Sequence, residues 1–196
     1  MPSSRRPAGD AAEDARLITA AMAGDRQAFA ALYRRHLDSV YARLTRLVGP
    51  APERDDLMQQ IFLDVYRALP RFRGEASFST FLYRIVVNVS CEHLERDHRR
   101  RSRSQPLDPE RLETLIAVGA SPETRARQRQ ELDNVLLFLE RLSPKRRAAF
   151  VLVAVEGRPL EEVAGLLGVS APAVKQRVIE ARRELALALD RKENDR

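Results

Sequence analysis

Side chains that can read nucleic-acid bases recur along one stretch near the carboxyl terminus, residues 171–185. In a helix, a rotation of 100° per residue places one set of positions opposite the apolar Val174: Pro172, Gln176, Ile179 and Arg183. This face is flanked by Ala173, Lys175 and Arg182. An amide with ammonium and guanidinium groups can hydrogen-bond base edges and attract phosphates. The pattern is typical of a helix that enters the major groove of duplex DNA.

The residues before this face predict a second helix that holds it in place. Apolar side chains recur at i, i+3, i+4 and i+7: Leu160, Val163, Ala164 and Leu167. Gly168 permits the left-handed turn that ends this helix, and Ser170 is placed to cap the next one. Pro172 fits the first turn of that helix, where a missing N–H costs nothing. The second helix has its own apolar stripe: Val174, Val178, Ala181, Leu185 and Leu189.

This hairpin fits either an ordinary helical hairpin or a DNA-binding helix-turn-helix. Any helical hairpin needs a small residue at a tight crossing and a glycine in its turn. The combination of Ala164, Gly168 and Val174 with a cap and a basic outward face is more specific than any single position. We therefore interpret residues 160–185 as a helix-turn-helix.

The bulk composition indicates a folded protein that favours a polyanionic partner. Its 196 residues are 44% hydrophobic, which supports one medium domain or two small ones. Lys and Arg outnumber Asp and Glu by 34 to 28, although surface solubility alone could explain that excess. No stretch approaches the roughly 20 apolar residues of a membrane span. The opening MPSSRRPAGD lacks the apolar core of a signal peptide, so we expect a cytoplasmic protein without membrane insertion.

The single cysteine, Cys91, excludes an internal disulfide and fits a reducing compartment. Cys91, His93 and His98 could suggest a metal site. On a helix, however, Cys91 and His93 diverge by about 200°, and Cys91 and His98 lie roughly 10 Å apart along the axis. The chain also has no phosphate-cradling glycine loop and no strand pattern to carry one. We therefore expect no metal, no cofactor and no enzymatic activity.

Apolar periodicity and chain breaks predict an all-α protein with two helical domains. A disordered lead at 1–10 is followed by six predicted helices before the helix-turn-helix: 11–23, 25–48, 53–69, 78–97, 121–142 and 143–157. Periodicity fades between 101 and 120, which predicts a flexible linker. The predicted domains are 11–100, with four helices, and 121–190, with the helix-turn-helix.

The predicted helix at 53–69 has a face that its own domain does not need. Its apolar arc points towards the core: Leu57, Met58, Ile61, Phe62, Val65 and Leu69. The opposite side carries polar residues, Asp56, Gln59, Gln60 and Arg67, together with the apolar Leu63. An apolar side chain centred on a polar face indicates a partner surface, although single exposed leucines are common.

The predicted helix at 78–97 is apolar nearly all round, so most of it should be buried. Its polar arc is narrow: Thr80, Arg84, Asn88, Cys91 and Glu95. The basic run RDHRRRSR at 96–103 follows. This run is either a solvated helix end or a phosphate-binding segment, and the downstream helix-turn-helix favours phosphate contact.

Three stretches in this order resemble the extracytoplasmic-function (ECF) class of bacterial RNA polymerase sigma factors. They are GDRQAFAALYRRH at 24–36, RDDLMQQIFLDVYRALPRFRGEASFSTFLYRIVVNV at 54–89 and LSPKRRAAFVLVAVEGRPLEEVAGLLGVSAPAVKQRVIEARREL at 142–185. The resemblance covers most of the chain. It implies that the first domain is a promoter-melting domain that docks on core RNA polymerase and captures the single-stranded −10 element. It also implies that the second domain reads duplex −35 promoter DNA, and it leads us to expect an anti-sigma factor.

The resemblance assigns roles to individual residues of the first domain. Asp56, Gln59 and Gln60 fall where the family contacts the polymerase clamp, on the face that also holds Leu63. The loop residues Phe72, Arg73 and Gly74 match a family loop that pockets a flipped −10 base. Asn88 matches an asparagine that reads this base, although a helix amide can instead bond its own backbone. The −10 set is completed by four arginines: Arg84, Arg99, Arg100 and Arg101.

In the second domain the resemblance supports the −35 assignment of the helix-turn-helix. The predicted contact set is Ser170, Pro172, Ala173, Lys175, Gln176, Arg177, Arg182 and Arg183. We expect Gln176 and its neighbours to read bases, and the three arginines to hold phosphates. The chain departs from the family at Phe81, where a tryptophan is usual, and at Ala173, where a threonine is usual. The segment from Val89 to Glu95 also carries more acidic residues than is usual in the family, Glu92 and Glu95, so the resemblance does not extend to promoter preference.

The alternative function is a dimeric helix-turn-helix regulator whose first domain senses a ligand. Such a regulator would bind a palindromic site without polymerase. A sigma factor would instead need the core enzyme, so DNA binding with and without core polymerase distinguishes the two.

Overall fold

The computed structural model of the chain describes residues 8–49, 52–103, 139 and 142–194. Within these ranges every regular element is helical and none is a strand, which confirms the predicted all-α fold. Contacts divide the chain into two compact units. Residues up to 44 with 53–89 form the first unit, and 45–52 with the residues from 90 onwards form the second. The linker predicted at 101–120 lies mostly outside the described residues, so the domain boundaries stay a prediction.

The first unit is built from α1 (Ala8–Met22), most of α2 (Arg26–Val48), α3 (Arg54–Ala68) and the first part of α4 (Phe78–Arg103). The predicted cap of α2 is confirmed, since Asp25 Oδ1 accepts from the backbone N–H groups of Gln27 at 2.8 Å and Ala28 at 3.1 Å. Each helix buries one apolar stripe, and the stripes together form the core: Ile18, Leu32, Val40, Leu44, Ile61, Val65, Leu82 and Val86. Burial of each such side chain contributes about 1.5–3 kcal/mol.

The amino-terminal helix begins earlier than predicted. Residues 8–10, which the sequence placed in a disordered lead, are helical in α1, and residues 1–7 lie outside the described part of the chain. Asp10, in the first turn, forms an ion pair with Arg35 of α2. Arg35 also donates from Nε to Asp14 Oδ1 at 2.8 Å, and the buried His36 lies 3.2 Å from both Asp14 oxygens. These pairs fix the start of α1 on α2, which sequence periodicity could not indicate.

The helix predicted to end at 97 is also longer. It continues as α4 through the whole basic run to Arg103, so this run is helical rather than a tail beyond the helix end. Most of its apolar residues are buried as predicted: Leu82, Tyr83, Val86, Val87, Val89 and Leu94. Phe81 and Ile85 are half-buried. A 3₁₀ turn, Leu69–Arg71, separates α3 from the loop that precedes α4.

The second unit contains α5 (Pro144–Phe150), a π-helical turn (Val151–Val155), α6 (Leu160–Leu167) and α7 (Ala171–Asn194). The helix predicted at 143–157 is therefore correct in place, but its last turn is π-helical. Pro144 occupies the first turn of α5, whereas the Ser143 side chain makes no capping hydrogen bond. The helix predicted at 121–142 is described only at its end, where Leu139 is helical and Leu139 and Leu142 are buried.

Candidate nucleic-acid and partner surfaces

The predicted partner surface on α3 is exposed. The four residues Asp56, Gln59, Gln60 and Leu63, called here the α3 outer face, all lie at the surface. Leu63 is 49% exposed, while the opposite side of the helix buries all of its predicted apolar residues. Gln60 donates from Nε2 to Asp64 Oδ1 at 2.9 Å, so one amide on this face is already oriented.

Tyr66 extends this apolar surface, and sequence reasoning missed it. It lies one helical turn after Leu63 and is 52% exposed. Its ring packs edge-on against Phe29 of α2, with 5.1 Å between the ring centroids. The spacing from Leu63 was the available signal, but an aromatic residue in an amphipathic helix is more often assigned to the core.

The loop at 72–77, called here the FRG loop, is held by a cluster of three aromatic rings. Phe72 lies 5.0 Å from Phe81 and 6.1 Å from Phe78, and Phe78 lies 5.9 Å from Phe81, measured between centroids. Phe78 is buried and also packs against His36 at 5.1 Å. The cluster therefore anchors Phe72 while Arg73 and Gly74 remain exposed.

The FRG loop also borders an open pocket within the first unit. The pocket has a volume of about 930 Å³, and its walls come from α1, α2 and residues 72–79. Two cations line it, Arg43 from α2 and Arg73 from the loop. The Arg43 guanidinium lies 4.6 Å above the ring of the buried Tyr83, which holds it in place. Arg43 was missed from sequence, because no spacing rule joins it to the loop.

The start of α4 presents the predicted −10 residues on one exposed arc. Arg84 and Asn88 are four residues apart and both are exposed. The helix is capped by Ser77, whose Oγ accepts from the backbone N–H of Thr80 at 3.2 Å. The FRG loop and this arc are therefore joined through a defined helix start.

The basic end of α4 neutralises much of its own charge. Arg100 pairs with Asp97 at 3.0 Å, and Arg99 lies 3.9 Å from Glu95. Arg101 is helical, but its side chain lies outside the described ones. Exposed pairs of this kind contribute at most about 1 kcal/mol, so exchange for a phosphate would cost little.

The predicted helix-turn-helix is confirmed in its details. Gly168 adopts the left-handed conformation, φ 63° and ψ 37°, and ends α6. Ser170 Oγ accepts from the backbone N–H of Ala173 at 3.4 Å, as expected of a cap. The facing stripes are buried as predicted at Val163, Ala164, Val174, Val178 and Ala181. Leu160, Leu167 and Leu185 are half-buried, and the side chain of Leu189 lies outside the described ones.

The outward face of α7 has the predicted exposure, with two exceptions. The exposed residues are Pro172, Lys175, Gln176, Ile179, Arg182 and Arg183. Ser170 is also exposed, ahead of the helix. Ala173 and Arg177 are half-buried, so they lie at the edge of this face rather than on it.

Comparison with known proteins gives the family. Residues 32–101 match Sigma-70 region 2, and residues 132–185 match Sigma-70, region 4. The chain is 37% identical over 177 residues to the ECF RNA polymerase sigma factor SigM of Mycobacterium tuberculosis, which covers 90% of this chain and 84% of that protein. The chain belongs to the ECF RNA polymerase sigma factors. It is also 31% identical over 171 residues to the ECF RNA polymerase sigma-E factor of Escherichia coli, covering 85% of this chain and 88% of that one.

Solved structures agree with this assignment. The structure of CnrH in complex with the cytosolic domain of CnrY matches with a TM-score of 0.59 and 29% identity, over 91% of this sigma factor and 97% of that chain. The fold is also shared with the sigma factor RpoE of Bartonella quintana, solved in complex with the anti-sigma factor NepR. That match has a TM-score of 0.57 at 19% identity, over 83% and 96% of the two chains.

This sigma factor also has a side-chain network on α7 that sequence reasoning missed. Gln176 donates from Nε2 to Glu180 Oε1 at 3.0 Å. Arg146 of α5 donates from Nε to Glu180 Oε2 at 2.7 Å and from Nη1 to Glu184 Oε1 at 2.5 Å. The hydrogen bonds from Gln176 and Arg146 lower the pKa of the Glu180 carboxyl. The Gln176–Glu180 spacing of i, i+4 was a signal, but the arginine comes from 34 residues earlier.

Cys91 and its neighbouring histidines give no indication of a metal centre. No group of three metal-ligating side chains occurs among the described residues. Burial raises the pKa of the Cys91 thiol to about 11, with the charges of Glu95 and Glu92 acting in the same direction. The neutral thiol therefore predominates at physiological pH. None of the helices in the described part of the chain combines the length and apolar content that a membrane span requires.

Proposed function

We propose that this sigma factor docks on core RNA polymerase through the α3 outer face, captures the single-stranded −10 element with the FRG loop and α4, and reads the duplex −35 element with α7. It acts as an initiation factor on the nucleoid, and the chemistry of RNA synthesis belongs to the polymerase. The observation that carries this proposal is the exposed Leu63, centred on a polar helix face opposite a buried one.

The polymerase-binding role is supported by the α3 outer face, which the fold of the first unit does not need. Its apolar side is already satisfied by the core of the first unit, so the outer face contributes little to folding. Leu63 and Tyr66 expose about half of their surface one turn apart. Exposed apolar side chains surrounded by polar groups are characteristic of protein interfaces, where they become the buried centre.

The −10 role is supported by an anchored loop beside an exposed amide. Capture of a base outside the stack needs an aromatic or planar surface, cations for the backbone and a hydrogen-bonding group for the base edge. Phe72 supplies the aromatic group, Arg73 and Arg84 supply cations, and Asn88 supplies the amide. Arg99, Arg100 and Arg101 lie further along α4, where they can follow the phosphates.

The −35 role is supported by the exposed face of α7. Gln176 and Lys175 are exposed in the first turns, with Pro172 and Ala173 beside them, which is the part of a recognition helix that meets base edges. Arg182 and Arg183 lie about two turns further on, and Arg177 lies at the edge. We assign these three arginines, with Ser170 at the helix start, to phosphates.

An anti-sigma factor is the proposed inhibitory partner. The support comes from relatives: CnrH is solved with the cytosolic domain of CnrY, and RpoE of Bartonella quintana with the anti-sigma factor NepR. Such a partner should compete with core polymerase. When an anti-sigma domain that binds this chain is added to the core-binding titration, the apparent Kd for core polymerase should rise linearly with the concentration of that domain.

Core binding tests the proposal most directly. Leu63→Asp places a charge at the centre of the docking face without disturbing the core, so we expect the Kd for core polymerase to rise at least about 30-fold, the effect of losing an interface hot spot. Leu187→Asp is the matched control, because Leu187 is 51% exposed and lies outside this face. The titration is made with both full-length variants, after circular dichroism confirms their helicity.

Gel shifts of promoter DNA with and without core polymerase complete the test. We expect tight, specific binding only with the core enzyme. Normal core binding by folded Leu63→Asp would contradict the docking assignment. Equally specific binding of a palindromic site without core polymerase would instead favour the dimeric regulator.

A further inference from the structure

The network around Gln176 has an arrangement that a phosphate-binding helix face does not need. A carboxylate on such a face repels DNA, yet Glu180 lies one turn after the proposed base reader and is bonded to it. We propose that Glu180, held by Arg146, is a positioning residue that fixes the Gln176 amide for recognition of adenine. This inference rests on the proposed role of Gln176 in reading the −35 element.

The hydrogen bond to Glu180 settles which way the amide of Gln176 faces. A carboxylate without a proton only accepts hydrogen bonds, so it selects the Nε2 donor of Gln176 and repels the carbonyl oxygen. The bond uses one of the two N–H groups on Nε2. When the N–H that lies anti to Oε1 makes this bond, the other N–H and the Oε1 acceptor lie side by side and in a set order.

This order of donor and acceptor matches one base. Adenine presents an N6 amino donor beside the N7 acceptor in the major groove, which a glutamine amide can bind with two hydrogen bonds. Guanine presents two acceptors, O6 and N7, and would leave the Oε1 acceptor facing an oxygen. An amide that rotates freely discriminates less, because its donor and acceptor can exchange places at the cost of a rotamer change.

Arg146 makes the carboxylate tolerable on a DNA-binding face. It joins α5 to two successive turns of α7, through Glu180 at 2.7 Å and Glu184 at 2.5 Å. Its charge partly offsets those of the two carboxylates towards nearby phosphates, and its bond to Oε2 restricts where the Glu180 carboxylate can move. Glu184 shares Arg146 but lies eight residues from Gln176, about 12 Å along the helix axis. It is therefore a matched control for charge without the amide contact.

The test uses holoenzyme reconstituted from the full chain and core polymerase. The probe is a pool of promoter fragments with a randomised −35 element, and base preferences are obtained by sequencing the bound and unbound fractions. Four variants are compared with the wild type: Gln176→Ala, Glu180→Ala, Glu180→Gln and Glu184→Ala. We expect Gln176→Ala to remove an adenine preference of about 5- to 150-fold at one position.

Glu180→Ala should reduce that same preference by roughly 3- to 10-fold, while overall affinity stays equal or rises because a negative charge has been removed. Glu180→Gln retains an oxygen acceptor and should restore part of the preference, and Glu184→Ala should retain all of it. A simple structural role would instead weaken every sequence alike. This separation of specificity from affinity distinguishes positioning from folding.

The outcomes that overturn the two proposals are different. If Gln176→Ala loses the preference and folded Glu180→Ala keeps it, Glu180 is not a positioning residue, while the −35 role of Gln176 stands. Equal loss in Glu180→Ala and Glu184→Ala would also overturn the inference, since Glu184 does not reach the amide. If Gln176→Ala changes no base preference, the proposed −35 reader itself is wrong. Thermal unfolding of each variant confirms the fold. If Glu180→Ala is unstable, Glu180→Gln replaces it in the comparison of base preferences.

Discussion

The two proposed nucleic-acid sites of this sigma factor are built in different ways. The −35 face lies on one helix, α7, and its residues are neighbours because they are spaced three and four apart. The proposed −10 site begins with a loop and a helix start, and an aromatic cluster packs the loop against that helix start. A site on one helix face depends on helix geometry, whereas a site built around a loop depends on packing.

Charge is also arranged differently in the two sites. The arginines at the end of α4 pair with acidic residues of the same helix, at Glu95 and Asp97. At α7 the pairing arginine is Arg146 of α5, which bonds the Glu180 carboxylate next to the proposed base reader, Gln176. Local pairs weaken the field of the arginines on α4, while the pair between helices holds a carboxylate that bonds a neighbouring side chain.

The largest expected effect concerns the aromatic cluster. Phe78→Ala removes a buried ring that contacts Phe72, Phe81 and His36, and should destabilise the first unit by about 3–5 kcal/mol. Ile179→Ala on α7 is the comparison, because Ile179 is 49% exposed and should change stability by less than about 0.5 kcal/mol. Urea unfolding followed by circular dichroism measures both. Similar losses in the two variants would remove the proposed distinction between the sites.

Asn88→Ala should have the next largest effect, on promoter melting. The exposed amide lies outside the core, so the fold and core binding should be retained. Loss of one base contact should reduce strand capture by about 1–3 kcal/mol. Permanganate footprinting of melted thymines measures this, beside a core-binding titration. Wild-type melting by Asn88→Ala would show that this residue does not read the captured base.

The same substitution, glycine to alanine, can be compared in the turns of the two proposed sites. Gly74 in the FRG loop and Gly168 in the helix-turn-helix have φ of 73° and 63°, and an added Cβ would meet no atom within 4 Å at either. Alanine should therefore cost about 1–2 kcal/mol at both, from backbone conformation alone.

Gly165 provides the control for these variants. It lies inside α6, and a Cβ there also meets nothing within 4 Å, so alanine should stabilise by roughly 0.5–1 kcal/mol. Unfolding midpoints of the three alanine variants give the comparison. A neutral Gly168→Ala would mean that the turn adopts another conformation in solution.

Partial burial of Cys91 on α4, three residues after Asn88, should slow the alkylation of its thiol. Since burial raises the pKa of its thiol from an ordinary 9.0 to about 11, the thiolate fraction at pH 8 is about 100-fold lower than in the unfolded chain. Alkylation by iodoacetamide should be slow at pH 8, should accelerate as the pH rises towards 11, and should become fast in urea. Equally fast alkylation with and without urea at pH 8 would show that the thiol is not buried in solution.

Periodicity in the sequence was sufficient to place the helices and most of their buried faces, but not the start of α1, the end of α4 or the π-helical turn. The face of α7, the turn at Gly168, the Asp25 cap and the outer face of α3 all follow from spacings of one to four residues, because helix geometry converts short spacings directly into neighbours. The family motifs assigned the predicted roles within this frame. Short spacings do not reveal contacts between distant residues. The sequence therefore predicted the two nucleic-acid sites but not the contacts that hold their side chains in place.

Tertiary structure decided the contacts between distant parts of the chain. The start of α1 depends on Arg35, and the FRG loop depends on packing against Phe78 and Phe81. The orientation of Gln176 depends on Glu180, which is bonded to Arg146 from 34 residues earlier. Local periodicity contains no information about which cation meets which carboxylate, since that depends on how the helices cross. The supports of both sites, unlike their reading residues, therefore became visible only in the folded chain.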